Sequence, residues 1–281
     1  MNRIAVIQMA APWSLPGPTR VRTVHLLREA AARGATLAVL PELCTISYDF
    51  RIREDVEPHA EPLDGASVTA WTEVARHTGL HVVAGFPERA DGQLFNTAVL
   101  VGPSGVLGTY RKAHLYHFER DIFTPGEGGF QVWDTPLGRL GILICYDLRF
   151  AEAVRILLLR GAQVLCVPTT WTDRGKPEPW DARGWCGADY LAAGHAYGNR
   201  MWVACANRAG ADGAVRTLGC SGVFAPSGQA AAGPASPAGE EVLVADLDVA
   251  RVDASRATPE MDLVRDRRPD LYGDLAKAHQ R

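Results

Sequence analysis

Three polar residues of the sequence each follow a short apolar run that is typical of a strand. Glu42 follows "LAVLP", Lys112 follows "VLGTYR" and Cys145 follows "GILI". Polar residues at strand ends collect along one edge of an α/β sheet, where the sites of such folds form. A carboxylate, an ammonium and a thiol at one edge would make a nucleophilic site. The carboxylate would take the thiol proton, the ammonium would stabilise an oxyanion, and the sulfur would attack.

Spacing alone does not bring three distant residues together, so each residue also has an ordinary structural interpretation. Glu42 fits a helix cap or a surface acid, and Lys112 fits a solvated loop charge. Cys145 fits a small buried hydrophobe, as free cysteines often are. Both interpretations stay open on the residues alone.

Cys145 stands between a strand-like run and a helix-like run. The residues after it recur at helical spacing and are closed by a glycine: Phe150, Val154, Leu157, Leu158 and Gly161. A thiol at such a corner faces the positive end of the helix dipole. The sequence therefore predicts a stabilised thiolate at this position.

Composition restricts the class of protein. The 281-residue chain has a formal net charge of −3, which gives no general attraction to nucleic acid or anionic lipid. Its first residues read as a strand rather than a secretory signal, and no run approaches about 18 apolar residues, so we expect a cytosolic protein. Its six cysteines include no C-x-x-C pair, which argues against a disulfide framework and a cysteine zinc site.

Strand and helix signals alternate along the chain and are mixed with hairpin signals, which predicts α/β layers with a mixed sheet. The patterns predict a hairpin over 95–112, a helix over 180–199 and a second hairpin that joins 219–229 to 240–249. No linker or repeat interrupts them, so we expect a single domain over 1–281. The polar tail from about residue 254 is either a solvated end or an arm that packs on a partner subunit.

Three segments carry a specific resemblance. "LPELCTISYDF", "YRKAHLYHFERDIFTPG" and "GILICYDLRFAE" resemble, in this order and spacing, the three signature segments of the nitrilase superfamily of carbon–nitrogen hydrolases. The resemblance runs from about residue 3 to 250 and favours the amidase and N-carbamoyl amidohydrolase branches. It implies a four-layer α-β-β-α sandwich that forms homodimers or larger assemblies. It also implies catalysis with no metal or organic cofactor.

The resemblance assigns a role to each of the site residues. Glu42 would be the general base, Lys112 the oxyanion-stabilising cation and Cys145 the nucleophile. Glu119 matches a second glutamate of the family and would position Lys112 or the substrate. The backbone N–H of Tyr146 would be the second oxyanion donor.

The implied reaction is hydrolysis of a small linear amide or N-carbamoyl compound through a thioester, with release of ammonia. Nitrile hydrolysis by the same thiol is one alternative, and a catalytically silent binding protein on the same scaffold is another. An H-x-x-H pair, His114 and His117, is not accompanied by a third ligand pattern. We therefore expect His114 to be a structural hydrogen-bonding residue.

Substrate contacts are predicted in the stretch 171–185. Trp171 is expected on the pocket wall, and Arg174 or Lys176 is either a partner for a substrate carboxylate or a solvated charge. Tyr48 either lines the pocket or packs in the core. His195 and Asn199 stand where the family usually has an R-x-R-A-x-E-N pattern, so substrate contacts near that helix are left open.

Overall fold

The first strand is buried on both faces. In the computed structural model, which describes residues 2–10, 16–173, 175 and 179–277, β1 (Asn2–Ala10) alternates between two cores. Ile4 and Val6 pack in one core, and Ala5 and Ile7 pack in the other. Because successive side chains of a strand point to opposite faces, β1 must lie in a sheet that is covered on both sides.

The larger sheet contains β1 at its centre and is mixed. Its remaining strands are, in chain order, β2 (Leu37–Val39), β3 (His81–Ala90), β4 (Gln93–Gly102), β5 (Gly105–Arg111), β10 (Arg208–Asp212), β11 (Val215–Leu218) and β14 (Glu241–Leu247). The strands numbered between these belong to the second sheet. Their order is β11-β10-β1-β2-β3-β4-β5, and β14 pairs with β1. The predicted hairpin over 95–112 corresponds to β4 and β5, which pair antiparallel.

The second sheet packs face to face on the first. It has the order β13-β12-β9-β8-β7-β6 and consists of β6 (Val132–Thr135), β7 (Gly138–Ile142), β8 (Val164–Pro168), β9 (Trp202–Ala206), β12 (Gly222–Phe224) and β13 (Ala230–Ala232). The core between the two sheets includes Val39 and Val83 from the first and Ile142 and Cys166 from the second. A two-stranded sheet near the end of the described chain is formed by β15 (Ala257–Thr258) and β16 (Met261–Asp262).

Helices cover the outer face of each sheet. Helices α1 (Pro16–Ala32) and α3 (Ala66–Thr78) pack on the first sheet, and α4 (Ala151–Leu159) and α5 (Gly187–Asn199) pack on the second. Two short helices, α2 (Arg53–Val56) and α6 (Val252–Arg256), lie between strands and at the start of the tail. The predicted four-layer α-β-β-α sandwich is therefore confirmed.

Two predicted elements differ from the structure. Residues 219–229 and 240–249 do not form a hairpin, because β12 pairs with β9 and β13 in the second sheet, whereas β14 pairs with β1 in the first. The helix predicted over 180–199 begins only at Gly187. Within the described residues, no helix has both the length and the apolar character that a membrane span requires.

Candidate active site

Lys112 follows β5 and lies between two carboxylates. Its Nζ is 2.6 Å from Glu42 Oε1 and 2.7 Å from Glu119 Oε2. All three side chains are fully buried. With the lysine protonated and both glutamates ionised, the cluster has a net charge of −1, and the ion pairs offset the cost of removing these charges from water.

Glu42 has one occupied oxygen and one unoccupied oxygen. Its Oε1 accepts hydrogen bonds from Lys112 and from Asn96 Nδ2, the latter at 2.8 Å. Its Oε2 is buried and has no hydrogen-bond partner among the described residues. Because buried polar atoms are almost always hydrogen-bonded, an unoccupied carboxylate oxygen here marks a place where a proton can be accepted.

The loop after β2 fixes Glu42 through its backbone. Leu43 has a positive φ of 45°, which is unusual for a branched side chain. The buried guanidinium of Arg208 donates Nη2–H to the carbonyls of both Glu42, at 3.1 Å, and Leu43. Arg208 is in turn 3.4 Å from Asp212, so β10 supports the strained loop that presents the glutamate.

Glu119 differs from Glu42 because both of its oxygens are occupied. Oε1 accepts the Tyr48 hydroxyl at 2.7 Å and Lys112 Nζ at 3.0 Å. Oε2 accepts Lys112 Nζ and the backbone N–H of Tyr116, at 2.7 and 2.8 Å. A carboxylate bonded in this way fixes the ammonium in place.

Cys145 begins a short 3-10 segment, residues 145–149, after β7. It has a positive φ of 45°, a strained conformation that is typical of functional sites. Asp147 holds this turn, because its carboxylate accepts the Ile144 N–H at 3.0 Å and the Tyr110 hydroxyl at 2.9 Å. It also accepts the backbone and ring N–H groups of His114, as the structural interpretation of His114 predicts.

The electrostatics of the site do not favour a resting thiolate. Burial and the negative charge of Glu42 raise the pKa of Cys145 well above its usual value, although Lys112 opposes this. The predicted dipole-stabilised thiolate is therefore wrong, because the chain at Cys145 forms a 3-10 turn in a buried anionic cluster and α4 begins later, at Ala151. Burial lowers the pKa of Lys112, but Glu119 and Glu42 more than offset this and raise it overall. The lysine is therefore a permanent cation.

A cleft of about 310 Å³ opens at Cys145. The thiol residue is 9% exposed, whereas Glu42, Lys112 and Glu119 are fully buried. The cleft is lined by Tyr116, Cys145, Tyr146, Leu148, Arg149, Thr170, Trp171, Thr172, Asp173, Pro179, Gly187, Ala188, Leu191 and Leu218. The sulfur is therefore the member of the cluster that a substrate reaches.

Some of the residues predicted to contact substrate line the cleft, and others do not. Trp171 and Tyr146 line the cleft. Tyr48 does not, because its buried ring packs against Phe50 and its hydroxyl is bonded to Glu119. Arg174 and Lys176 lie outside the described residues.

Two residues of the site were not predicted from the sequence. Asn96, on β4, bonds to Glu42. Arg149, four residues after the cysteine, is exposed and lines the cleft. Only Arg149 had a local signal, a charged side chain directly beside the cysteine motif.

His195, whose role the sequence left open, supports the site from behind. It donates its Nε2–H to the Leu148 carbonyl at 2.8 Å, so α5 braces the 3-10 turn.

Comparison with known proteins agrees with this geometry. A family model described as carbon-nitrogen hydrolase matches residues 3–257, and the chain belongs to this family. It is 34% identical over 273 residues to a protein named nitrilase from Pyrococcus abyssi, covering 97% of this chain and 99% of that one. It is 32% identical over 287 residues to the omega-amidase NIT2 of Bos taurus, covering 98% of each. The superfamily predicted from the three segments is confirmed.

A solved structure gives the same fold. The NitN amidase of Nesterenkonia sp. AN1 superposes with a TM-score of 0.78 at 29% identity, over 98% of this chain and 100% of that one. A mutant of that amidase was solved after acrylamide had added to its active-site cysteine. The prediction that this chain is an enzyme acting on carbon–nitrogen bonds other than peptide bonds is likewise confirmed.

Proposed function

We propose that this protein is a cysteine amidohydrolase that cleaves a small linear amide or N-carbamoyl compound and releases ammonia. The observation that carries the proposal is the unoccupied Oε2 of Glu42, in a cluster whose charges act on the Cys145 thiol. The fully bonded Glu119 has no equivalent position for a proton. Glu42 is therefore the base, and Glu119 holds Lys112.

The reaction begins from a neutral thiol, because the pKa of Cys145 is raised. As the sulfur attacks the carbonyl carbon, the thiol proton moves to Glu42 Oε2 and a C–S bond forms. The negative charge that develops on the carbonyl oxygen is stabilised by Lys112 and by the Tyr146 backbone N–H. Tyr146 lies in the first turn of the 3-10 segment, where N–H groups lack partners within the helix. Such oxyanion donors commonly supply about 3 kcal/mol each.

Collapse of this intermediate breaks the C–N bond. Glu42 returns the proton to the departing nitrogen, ammonia leaves, and a thioester remains on Cys145. Water then attacks the thioester while Glu42 takes its proton. The C–S bond breaks, the acid leaves, and the proton returns to the sulfur, so the enzyme is restored.

The cleft favours a substrate that carries a carboxylate away from the amide. Arg149 is exposed on the cleft wall and has no acidic partner among the described residues, whereas the neighbouring Asp173 is paired with Arg216. An unpaired guanidinium can bind a carboxylate in a bidentate manner. The similarity to an omega-amidase supports this orientation.

The proposal is tested by ammonia release from a panel of neutral amides, carboxylate-bearing amides, N-carbamoyl amines, N-carbamoyl amino acids and nitriles. Mass spectrometry of the quenched enzyme should show a substrate-derived adduct on Cys145, and Cys145→Ala should abolish both signals. Cys44→Ala, which removes another buried thiol, serves as the control. Turnover of nitriles alone would identify a nitrilase instead. A silent binding protein would be favoured if no compound of the panel releases ammonia and an alkylating reagent modifies no cysteine faster than the others.

The role of Arg149 is tested separately with Arg149→Met. The variant should lower kcat/KM about 10- to 100-fold for a carboxylate-bearing amide and leave a neutral amide of the same length unchanged. Arg251→Met, a change at a surface arginine that is 91% exposed, is the matched control. An equal loss on both amides would contradict the carboxylate contact while leaving the amidohydrolase proposal intact.

A further inference from the structure

A second group of buried reactive side chains lies behind one wall of the cleft. Cys186, Asp189 and Cys220 each offer one potential ligand atom, and these three atoms lie within 4.8 Å of one another. All three residues are fully buried. They come from the start of α5 and from the segment between β11 and β12.

The carboxylate of this group is only half occupied. Asp189 Oδ2 accepts the Cys186 backbone N–H at 2.8 Å. Its Oδ1 is buried and accepts no hydrogen bond from a described N–H or hydroxyl group, and the Cys186 and Cys220 thiols are the donors that interact with the carboxylate. Thiols are weak donors, so a cation that replaces their protons would be a stronger partner for this buried carboxylate.

We propose that Cys186, Asp189 and Cys220 form a binding site for a thiophilic divalent cation, for which Zn²⁺ is the natural probe. In a tetrahedral zinc site with bonds of about 2.3 Å, neighbouring sulfur ligands are about 3.8 Å apart. A cluster within 4.8 Å therefore reaches this geometry through shifts of about 1 Å or less. Two thiolates and a carboxylate are a ligand set that selects zinc over magnesium or calcium.

One further feature fits a bound cation. The Cys220 thiol donates a hydrogen bond to the Gly184 carbonyl, with 3.6 Å between sulfur and oxygen, so this carbonyl oxygen lies beside the three ligands. The sequence argued against a cysteine zinc site because no C-x-x-C pair is present, but folding brings together thiols that are far apart in the chain.

A cation at this site would fasten the wall of the cleft. Gly187 and Ala188 follow the first cysteine, and Leu218 lies two residues before the second, and all three line the cleft. Leu218 is also bonded to Trp171 and Trp180, through its backbone N–H at 2.9 Å and its carbonyl at 3.0 Å. The ion would therefore join the start of α5 to the opposite wall. The binding site itself does not depend on the proposed reaction.

The test measures metal content of the full-length protein in a Cys145→Ala background, which removes the thiol in the cleft. After chelator treatment and dialysis against Zn²⁺, we expect about one ion per chain by mass spectrometry. Co²⁺ in its place should give sulfur-to-cobalt charge-transfer absorption. Adding Cys186→Ala or Cys220→Ala should remove the bound ion and the absorption. Adding Cys44→Ala, which removes a buried thiol in the core beneath α1 and α3, should change neither.

Asp189→Asn keeps both thiols and the shape of the side chain, so it still tests the site if the cysteine variants fail to fold. It should weaken Zn²⁺ binding at least about tenfold, because one anionic ligand is lost. Three results would overturn the proposal: no zinc retained by the parent protein, zinc retained equally by both cysteine variants, or recovery of a disulfide that links Cys186 to Cys220. The last result would show that the pair is a redox couple.

Discussion

Glu42 and Glu119 hold Lys112 from opposite sides and are equally buried. They differ in their remaining contacts, because every oxygen of Glu119 accepts at least two hydrogen bonds, whereas Oε2 of Glu42 accepts none from the described residues. Two carboxylates of similar charge and burial can therefore have different chemistry. The unoccupied oxygen can take and return a proton, and the occupied carboxylate can only hold its neighbour.

Glu42→Gln should cause the largest loss if this difference is real. The amide preserves the size of the side chain but cannot accept the thiol proton, so kcat should fall on the order of 10⁴-fold. Steady-state kinetics test this loss, with Glu88→Gln as a control that removes another buried, ion-paired carboxylate. A loss of less than tenfold in Glu42→Gln would exclude Glu42 as the base.

Lys112→Met should have the next largest effect on rate. If Lys112 stabilises the oxyanion as proposed, its loss should lower kcat about 10³-fold. It also leaves two buried carboxylates uncompensated, which should lower the free energy of unfolding by about 3–5 kcal/mol. Urea unfolding and steady-state kinetics measure the two effects, and unchanged stability would contradict the ion pairs.

The stability difference between wild type and Lys112→Met should also depend on pH. Because the pKa of Lys112 is raised on folding, its contribution is fully present below the ordinary value of 10.5 and is lost as the pH rises through the folded value. The part of the wild-type advantage that comes from the lysine charge should therefore persist at neutral pH and shrink in strong alkali. An advantage that disappears near pH 7 would mean that the lysine is neutral in the folded protein.

Glu119→Gln tests the other carboxylate and should cost less. Lys112 would lose part of its fixed position, so kcat should fall about 10²-fold. The loss should be smaller than in Glu42→Gln, because Glu42 still takes the proton. If Glu119→Gln lowered kcat more than Glu42→Gln, the assignment of the two roles would have to be exchanged.

The sequence predicts the charged and nucleophilic residues of this site better than the residues that hold them in place. Glu42, Lys112 and Cys145 stand at strand ends, a position that local patterns reveal. Asn96 and Arg208 act through partners 54 and 166 residues away, and no local pattern encodes such contacts. The second hairpin was predicted wrongly for the same reason, since β14 pairs with the N-terminal strand instead of its sequence neighbour.

Tyr48 is a residue whose location the sequence leaves open. Its position shortly after Glu42 fits both a pocket wall and a place in the core. The structure instead turns this ring away from the cleft and joins its hydroxyl to Glu119, 71 residues along the chain. Burial and the charge of Glu119 raise the pKa of Tyr48, so the hydroxyl keeps its proton and acts as a donor.

Tyr48→Phe should therefore have the smallest effect and should distinguish the two locations. Removing one hydrogen bond to Glu119 costs about 1 kcal/mol, so kcat should fall roughly fivefold. KM and the preference among substrates should stay unchanged, because the hydroxyl does not reach the cleft. Tyr197→Phe, at an exposed position, is the control. A change in KM that varies from substrate to substrate would instead place Tyr48 on the pocket wall. It would also weaken the distinction between the roles of Glu42 and Glu119, since the hydroxyl that supports Glu119 would then contact the substrate as well.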